Sequence, residues 1–295
     1  DTLMVQKISR ASAEQRAGRA GRTRAGRCVR LWSESEHARR SSFELPEVQR
    51  CDMTTTVLRL KSRSWNEVRN FPWLECPKEE LLEHAEELLT ELTAINSEGD
   101  LTEMGHSMGQ FSLHPRYARM LLAAQENGCL SEAIFIAACV QGESIFLRRG
   151  DGRQHFTYED DMADFAAEWR AFQSAQQMKF DPARCQAIGV MARAARETEK
   201  IFMQIKRDCQ RRGMLCGEVD FSKNSDEVSR TMLASFSDQL AVRLGKGNYA
   251  CRLVGGRRGK LDENSCVKNT EAFVVCELTE VEGKEVQLNL SRCVG

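Results

Sequence analysis

Three polar side chains near the start of the chain have types and a spacing that suit phosphate binding. In the stretch Gln-Arg-Ala-Gly-Arg-Ala-Gly-Arg, the residues Gln15, Arg19 and Arg22 recur at i, i+4 and i+7. A helix would present them on one face. Guanidinium groups bind anions such as carboxylates and phosphates in a bidentate way. The sequence therefore predicts an anion clamp on one helical face.

The helix that carries this clamp is expected to begin at Ala13, because Ser12 and Gln15 have the spacing of a capping box. Gly18 and Gly21 each cost a helix about 1 kcal/mol relative to alanine. Their presence indicates that the backbone closely approaches a ligand or a neighbouring element. The alternative interpretation is a solvated basic helix, which is the usual structure of an arginine-rich run.

Charged residues are unevenly distributed along the 295-residue chain, although 42 Lys and Arg nearly balance 43 Asp and Glu. Residues 1–30 contain eight basic and two acidic residues, and residues 75–103 contain ten acidic residues and one lysine. Residues 239–261 contain six basic residues and no acidic one. The length allows two or three domains, and basic regions flank an acidic middle.

Twelve cysteines are present, but none forms a C-x-x-C pair, and most have apolar neighbours. We interpret them as free, buried thiols, which indicates a reducing cytosol and no metal site. No signal peptide opens the sequence and no apolar run approaches 18 residues. A cytoplasmic location without membrane contact is therefore expected.

The clamp stretch resembles motif VI of the DEAH-box (DEAH/RHA) superfamily 2 ATP-dependent RNA helicases, where it belongs to the second of two RecA-like domains. The resemblance implies that Arg19 and Arg22 reach the triphosphate across a cleft, and that Gln15 lies near the γ-phosphate and the attacking water. Gln15, Arg19 and Arg22 are the implied catalytic residues. Together with Gly18 they form the implied ATP-binding set, with ATP and Mg²⁺ as cofactors of the full protein.

The sequence contains no G-x-x-x-x-G-K-[ST] loop and does not begin with methionine. It is therefore expected to be a C-terminal fragment that neither hydrolyses ATP nor holds a cofactor by itself. The expected partners are single-stranded RNA, the missing N-terminal RecA-like domains of the same chain, and an activator protein.

Further similarity to the family follows in the expected order. Residues 43–50 resemble the P-E-[IV]-Q-R junction before a winged helix, and residues 114–121 resemble the signature that begins the helical bundle, or ratchet domain. Where the family often has D-H-L-T-x-L, Met162 replaces the histidine and the threonine is absent. The implied fold is multidomain and mainly α with a β-barrel: residues 1–44 end the second RecA-like domain, 45–112 form a winged helix, 113–222 a helical bundle and 223–295 an OB-fold.

Periodicity and turn residues predict the individual elements. The expected elements are a strand over 28–32, an amphipathic helix over 79–95 and a turn over 96–100, a strand at 101–102 and a helix over 103–110, a helix from Pro115 to Gly128, a buried helix over 131–141, a long helix from Pro182 towards Gly213, a helix with Val228, Leu233, Phe236 and Leu240, and strands around 248–254, 272–278 and 285–290 with a turn at Glu282-Gly283.

The acid-free stretch 239–261 is predicted to contact RNA through a basic loop region and its one interleaved aromatic residue. The candidates are Lys246, Tyr249, Arg252, Arg257, Arg258 and Lys260. Cations with one aromatic suit backbone tracking and one stacked base. In the family the helix that follows Pro182 borders the single-stranded RNA tunnel, so its cations are phosphate contacts or plain solvated residues: Arg193, Arg196, Lys200, Lys206 and Arg207.

The residues 253–262 look closest to the bacterial HrpA/HrpB type. The resemblance as a whole implies the C-terminal part of an ATP-dependent helicase that translocates 3′-to-5′ on RNA. The alternative function is a stand-alone, non-catalytic RNA-binding or partner-docking module. Only the helicase requires a phosphate loop and a D-E-x-H box upstream of Asp1, so the upstream reading frame distinguishes the two.

Overall fold

Two compact units make up the chain, residues 1–88 and residues 89–295, and each is described by itself. The computed structural model describes residues 7–147, 152–245, 247–281 and 287–295. The first unit contains α1 (Arg10–Arg19), α2 (Glu34–Arg39), α3 (Thr54–Lys61) and most of α4 (Glu79–Glu91). Among the described residues of this unit there is no β-strand.

The first helix begins at Arg10, so the prediction of a start at Ala13 was wrong. Ser9 is the N-cap, and its buried hydroxyl accepts a hydrogen bond from the Ser12 amide. The next free amides donate to distant carbonyls, Arg10 to Ser41 at 2.9 Å and Ala11 to Ser42 at 3.1 Å. These non-local acceptors let the helix start three residues earlier than a local capping box would.

The predicted strand over residues 28–32 does not form. Val29 is 72% and Leu31 is 92% exposed. A strand needs a hydrogen-bonded neighbour, and the described part of the first unit offers none. Trp32 is instead covered by the Arg40 guanidinium, 4.2 Å above its ring.

The segment after α4 contains the predicted turn and a minimal wing. The Asn96 side chain accepts hydrogen bonds from the amides of Glu98 and Asp100, as a turn requires. Two predictions here were too long. Helix α4 ends at Glu91 because Thr93 adopts a positive φ of 59°, and the strand at 101–102 is a single bridge between Ile95 and Leu101. Helix α5 (Glu103–Gly109) follows, capped by Thr102.

A helical bundle forms the centre of the second unit. Its helices are α6 (Pro115–Asn127), α7 (Leu130–Gln141), α8 (Asp164–Gln177), α9 (Pro182–Ala187), α10 (Ala192–Arg211) and α11 (Ser225–Phe236). Pro115 at the first position and Gly128 as the left-handed cap bound α6, as predicted. The nearly all-apolar α7 is buried along most of its length. Its Phe135 ring lies 4.9 Å from Trp169 and 5.5 Å from Phe172.

The long helix predicted from Pro182 is interrupted, because Gly189 has a positive φ of 75° and packs directly on Gly152. A Cβ on Gly189 would lie 2.4 Å from the Gly152 Cα. The peptide groups beside Gly189 bond to the segment 145–147, with Met191 N donating to Ile145 O at 2.7 Å. This backbone contact replaces helical hydrogen bonds and separates α9 from α10.

A closed five-stranded barrel follows the bundle. Its strands are β1 (Leu240–Arg243), β2 (Ala250–Leu253), β3 (Arg258–Leu261), β4 (Ala272–Val281) and β5 (Gln287–Val294), in the order β1-β2-β3-β5-β4. All pairs are antiparallel except β3 with β5. Leu240, predicted to end a helix, instead begins β1, while Leu233 of α11 is 45% exposed. The predicted turn at Glu282-Gly283 lies outside the described residues.

The predicted fold class is confirmed: the chain is mainly helical and carries a closed five-stranded barrel. In the described residues, no helix is both long enough and apolar enough to cross a membrane.

The cysteines are free, as predicted, but five of the twelve are not buried. Cys28 and Cys76 are exposed, while the barrel and bundle thiols are mostly enclosed. Burial raises the pKa of Cys139, Cys276 and Cys293 well above the usual value, and that of Cys209 to about 12. A raised pKa favours the neutral thiol in the folded state. The contribution of the raised thiol pKa to the stability of the folded state is fully present below about pH 8.5, and it is lost as the pH rises through the folded-state pKa.

We therefore expect the free energy of unfolding to fall as the pH is raised from about 9 to 11, measured by urea denaturation. The double substitution of Cys28 and Cys76 by serine should leave this pH dependence unchanged, because both thiols are exposed. Cys139→Ala should weaken it. An identical alkaline loss in Cys139→Ala and in the wild type would show that this thiol does not contribute.

Candidate nucleotide and nucleic-acid interfaces

The predicted anion clamp is divided between a helix and a turn. Gln15 and Arg19 lie one turn apart on α1, so they share a helical face as predicted. Arg22 does not, because α1 ends at Arg19 and Ala20 caps it. The prediction of three residues on one helical face was therefore wrong for Arg22. All three side chains are exposed to solvent.

The turn that carries Arg22 depends on Gly26. A Cβ at this position would lie 1.9 Å from the carbonyl oxygen of Ala20, so only glycine lets residues 20–26 fold back on the end of α1. Gly18 has no atom of the described chain within 4 Å of a built Cβ, and Gly21 meets only the Gly18 carbonyl at 4.0 Å. The close approach that was predicted for Gly18 and Gly21 therefore does not involve a neighbour among the described residues.

Arg19 and Arg22 keep their hydrogen-bond donors available, since neither makes a hydrogen bond or an ion pair with another described residue. A triphosphate presents anionic oxygens that suit such unpaired guanidinium groups. The donor set therefore fits the nucleotide that the sequence implies. The positions that bind Mg²⁺ and cradle the phosphates in P-loop enzymes have no counterpart in this sequence.

Two of the predicted RNA contacts are cross-strand neighbours on the outer surface of the barrel. Arg252 on β2 pairs with Arg258 on β3, and both side chains are exposed. Lys260, two residues further along β3, is also exposed and pairs with Ala250. The prediction of a basic loop was wrong here, because residues 258–261 form a strand held by β2 and by β5. Three cations therefore lie on the outer face of two adjacent strands.

The other predicted barrel residues differ in their availability. Arg257 is exposed in the turn before β3, and Lys260 also pairs with Glu263 at 2.8 Å, a hydrogen bond that raises the pKa of Lys260. Tyr249 is half-buried and packs against the barrel core, so its ring is less accessible for stacking than predicted. Lys246 lies outside the described residues.

One cation of the basic run 239–261 serves the fold. Arg243 is buried, and its guanidinium donates to three backbone carbonyls, those of Asn248, Val267 and Thr270. It joins the β1–β2 turn to the segment that leads into β4. Arg243 was not among the predicted RNA contacts, and its structural role was not predicted either.

A surface groove of about 760 Å³ runs along α8 and α10, lined by Gln176, Glu199, Lys200, Met203, Gln204, Arg207 and Arg211. Of the α10 cations that were predicted as possible phosphate contacts, Lys200 and Arg207 line this groove. The others have contacts of their own. Arg193 lies 3.4 Å from Glu143, Arg196 donates to the Phe180 carbonyl, and the Lys206 ammonium is 5.8 Å from the Phe202 ring centre.

A buried ionic cluster between bundle and barrel was not predicted. Arg292 on β5 donates to Glu168 on α8 at 2.9 Å and to the Cys139 carbonyl at 2.9 Å. Burial alone would lower the pKa of Arg292, and the Glu168 carboxylate reverses this and raises it. The Arg153 guanidinium is 3.8 Å from both Glu168 and Asp164. The only signal in the sequence was an acidic residue, Asp164, where the family often has threonine.

Two family profiles match the chain. Residues 85–113 match the helicase associated domain (HA2), winged-helix, and residues 114–212 match the helicase associated domain (HA2), ratchet-like. A sequence relative, the probable ATP-dependent RNA helicase DHX35 homolog of Caenorhabditis elegans, is 42% identical over 148 residues, which cover 50% of this chain and 20% of that protein.

A solved structure, that of the DExH-box NTPase HrpB of E. coli, matches 99% of this chain and 31% of its own with a TM-score of 0.70 and 22% identity. At this identity the likeness shows the fold, and the narrower HrpA/HrpB assignment stays a prediction. The chain spans about a fifth of the length of the curated relative it matches. Residues 85–212 thus match HA2 domains, and together these similarities support the predicted resemblance to the C-terminal, helicase-associated region of DEAH-box helicases.

Proposed function

We propose that this chain is the RNA-binding C-terminal part of an ATP-dependent RNA helicase that moves 3′-to-5′ on single-stranded RNA. The observation that carries the proposal is the pair of exposed guanidinium groups, Arg19 and Arg22, which lack partners among the described residues although their spacing matches motif VI. The similarity to a probable ATP-dependent RNA helicase, the DHX35 homolog of Caenorhabditis elegans, supports the same activity. We also propose that single-stranded RNA is the substrate and that the protein acts in the cytoplasm.

In the complete protein, ATP with Mg²⁺ supplies the phosphoryl-transfer chemistry when bound. The contribution of this chain is electrostatic. Arg19 on α1 and Arg22 in the following turn bind phosphate oxygens across the interdomain cleft, and Gln15, one turn before Arg19 on α1, directs its side-chain amide towards the γ-phosphate. Gly18 keeps the helix surface beside Arg19 free of a side chain. The chain alone has no phosphate loop and is expected to hydrolyse no ATP.

RNA is proposed to bind along the barrel face that carries Arg252, Arg258 and Lys260. In OB-folds the face of strands 2 and 3 binds oligonucleotides, and the exposed cations of this barrel lie on those two strands. Cations at regular strand spacing suit a repeating phosphate backbone and give no base readout. Arg257 and Tyr249 extend the same candidate surface, Lys246 stays a candidate from the sequence alone, and the α10 groove is a second surface.

Reversing Arg257, Arg258 and Lys260 to glutamate is expected to weaken single-stranded RNA binding for all sequences alike. Each phosphate neutralised on a single strand contributes about 0.7 to the slope of log affinity against log salt. The triple variant should therefore reduce this slope by roughly 2. The measurement is a fluorescence-anisotropy titration of two unrelated RNA sequences at several salt concentrations.

A charge-matched control replaces three exposed cations on other elements, Arg184, Lys223 and Arg230, by glutamate. This control should change the salt slope little. An unchanged slope in the barrel variant would show that these cations do not contact RNA, and a loss confined to one RNA sequence would indicate base readout.

The alternative function is a non-catalytic RNA-binding or partner-docking module. Such a module requires neither a phosphate loop nor a D-E-x-H box upstream of Asp1. The reading frame before Asp1 decides between the two, because a phosphate loop there favours the helicase. We further propose that the chain has four domains, with boundaries at residues 44, 112 and 222. Its proposed partners include the N-terminal RecA-like domains of the same protein and an activator protein.

A further inference from the structure

Asp164 stands where the family signature often has threonine, and its side chain does not serve its own helix. The buried carboxylate accepts three hydrogen bonds, all from the barrel. The Ser265 hydroxyl donates to it at 2.9 Å, the Cys266 amide at 2.8 Å and the Cys293 amide at 2.8 Å. One side chain of the bundle thus holds both the segment after β3 and the end of β5.

Neighbouring contacts continue this attachment residue by residue. The last three residues of β5 and the following Gly295 each contact the first residues of α8 or the residues before it. Arg292 donates to Glu168, Cys293 to Asp164, and Gly295 to the Met162 carbonyl at 2.7 Å. Between them, Val294 forms an antiparallel bridge with Ala163. The end of β5 is therefore bonded to the bundle as well as to its own barrel.

This attachment reaches the candidate RNA surface through β3. Lys260 pairs with Asn289 of β5, and the Asp262 amide donates to the Leu290 carbonyl at 2.9 Å. Helix α8 in turn lines the cationic groove together with α10. Asp164 is thus connected by a short path of hydrogen bonds to β3, and by its own helix to the groove.

We propose that Asp164 is a positioning residue that fixes the barrel on the bundle, so that the β2–β3 face and the α10 groove bind one RNA strand as a single site. This inference rests on the proposed RNA-binding function. When two surfaces are held rigidly, the second contact of a long strand forms at high effective concentration. Asp164 touches no RNA and acts only on this geometry.

The test compares short and long single-stranded RNA on the full chain. An RNA of about four nucleotides lies at the short end of the site sizes of one OB-fold, whereas an RNA of about 30 nucleotides exceeds the roughly 16 that one OB-fold covers and leaves a segment for the groove. The wild type should bind the long RNA much more tightly. Asp164→Ala should keep the short-RNA affinity within about twofold and lower the long-RNA affinity by about tenfold or more, since the gain from linkage is typically 10²–10⁴.

Asp164→Asn keeps the shape and part of the acceptor capacity, so it should give an intermediate loss and serves if the alanine variant does not fold. The matched control is Asp181→Ala, which removes an aspartate that caps α9 and has no hydrogen bond or ion pair to the described part of the barrel. Hydrogen exchange of the Cys266 and Cys293 amides should accelerate in the Asp164 variants and stay unchanged in the control.

Binding of the two RNA lengths distinguishes a failure of the proposed RNA-binding function from a failure of the positioning role of Asp164. A wild-type chain that binds neither RNA contradicts the proposed function and, with it, the positioning role. A wild type that prefers long RNA, combined with an Asp164→Ala variant that retains this preference, overturns the positioning role alone. Equal loss of short and long RNA binding also overturns it, because general destabilisation does not depend on RNA length.

Discussion

Replacing Arg19 or Arg22 by alanine in the full-length protein is expected to lower RNA-stimulated ATP hydrolysis by about 10²-fold or more. Each substitution removes a guanidinium that is exposed and unpaired in the described chain, and therefore removes stabilisation of transition-state charge. RNA affinity in the absence of nucleotide should change little. Steady-state ATPase assays with saturating RNA, together with RNA binding without nucleotide, measure both effects.

Arg24→Ala is the matched control, because this exposed arginine lies in the same turn as Arg22 but outside the motif. Its ATPase rate should stay near that of the wild type. Gly26→Ala should lower the rate, since the new Cβ would collide with the Ala20 carbonyl and displace the turn that holds Arg22. Wild-type hydrolysis in Arg19→Ala or Arg22→Ala would contradict the assignment of these arginines to the nucleotide.

Glu168→Ala is expected to lower the free energy of unfolding of the second unit by about 3–5 kcal/mol, because it leaves the buried Arg292 guanidinium without its carboxylate. Arg292 still donates to the Cys139 carbonyl, but a neutral acceptor does not compensate the charge. Urea denaturation monitored by a probe in the bundle, such as Trp169 fluorescence, measures the loss.

Two variants test the cause of this loss. Glu277→Ala removes the half-exposed second partner of Arg292, 3.7 Å away, and should cost less than about 1 kcal/mol. The double variant Glu168→Leu with Arg292→Met should recover much of the stability, since a packed apolar pair can replace a buried ion pair. Equal effects of Glu168→Ala and Glu277→Ala would refute the role of burial.

Local signals in the sequence located the bundle helices well, because their ends are fixed by residues that act within one turn. Pro115 and Gly128 bound α6 through their own φ preferences, and Asn96 forms its turn with amides two and four residues away. Such features need no distant partner. The apolar run of α7 likewise required burial wherever the helix packed.

Errors occurred where a distant partner decides the structure. Ser41 and Ser42 set the start of α1, and Gly152 sets the break before α10, although both lie more than 30 residues from the elements they affect. The run Gly-Gly-Arg-Arg-Gly reads as a loop, and residues 258–261 become a strand only through β2 and β5. The clamp residues were identified from spacing, while the helix end that separates Arg22 from Arg19 depends on Gly26 against Ala20.

The position of β5 in the sequence has a consequence for synthesis on the ribosome. This strand closes the barrel between β3 and β4, so both of those strands keep open edges until it has emerged. Open edges are templates for pairing with other chains. The buried carboxylates of Glu168 and Asp164 on α8 likewise lack their hydrogen bonds from Arg292 and Cys293 until β5 has been synthesised. A nascent chain paused before Gln287 is therefore expected to be aggregation-prone and to depend on chaperones until the last strand arrives.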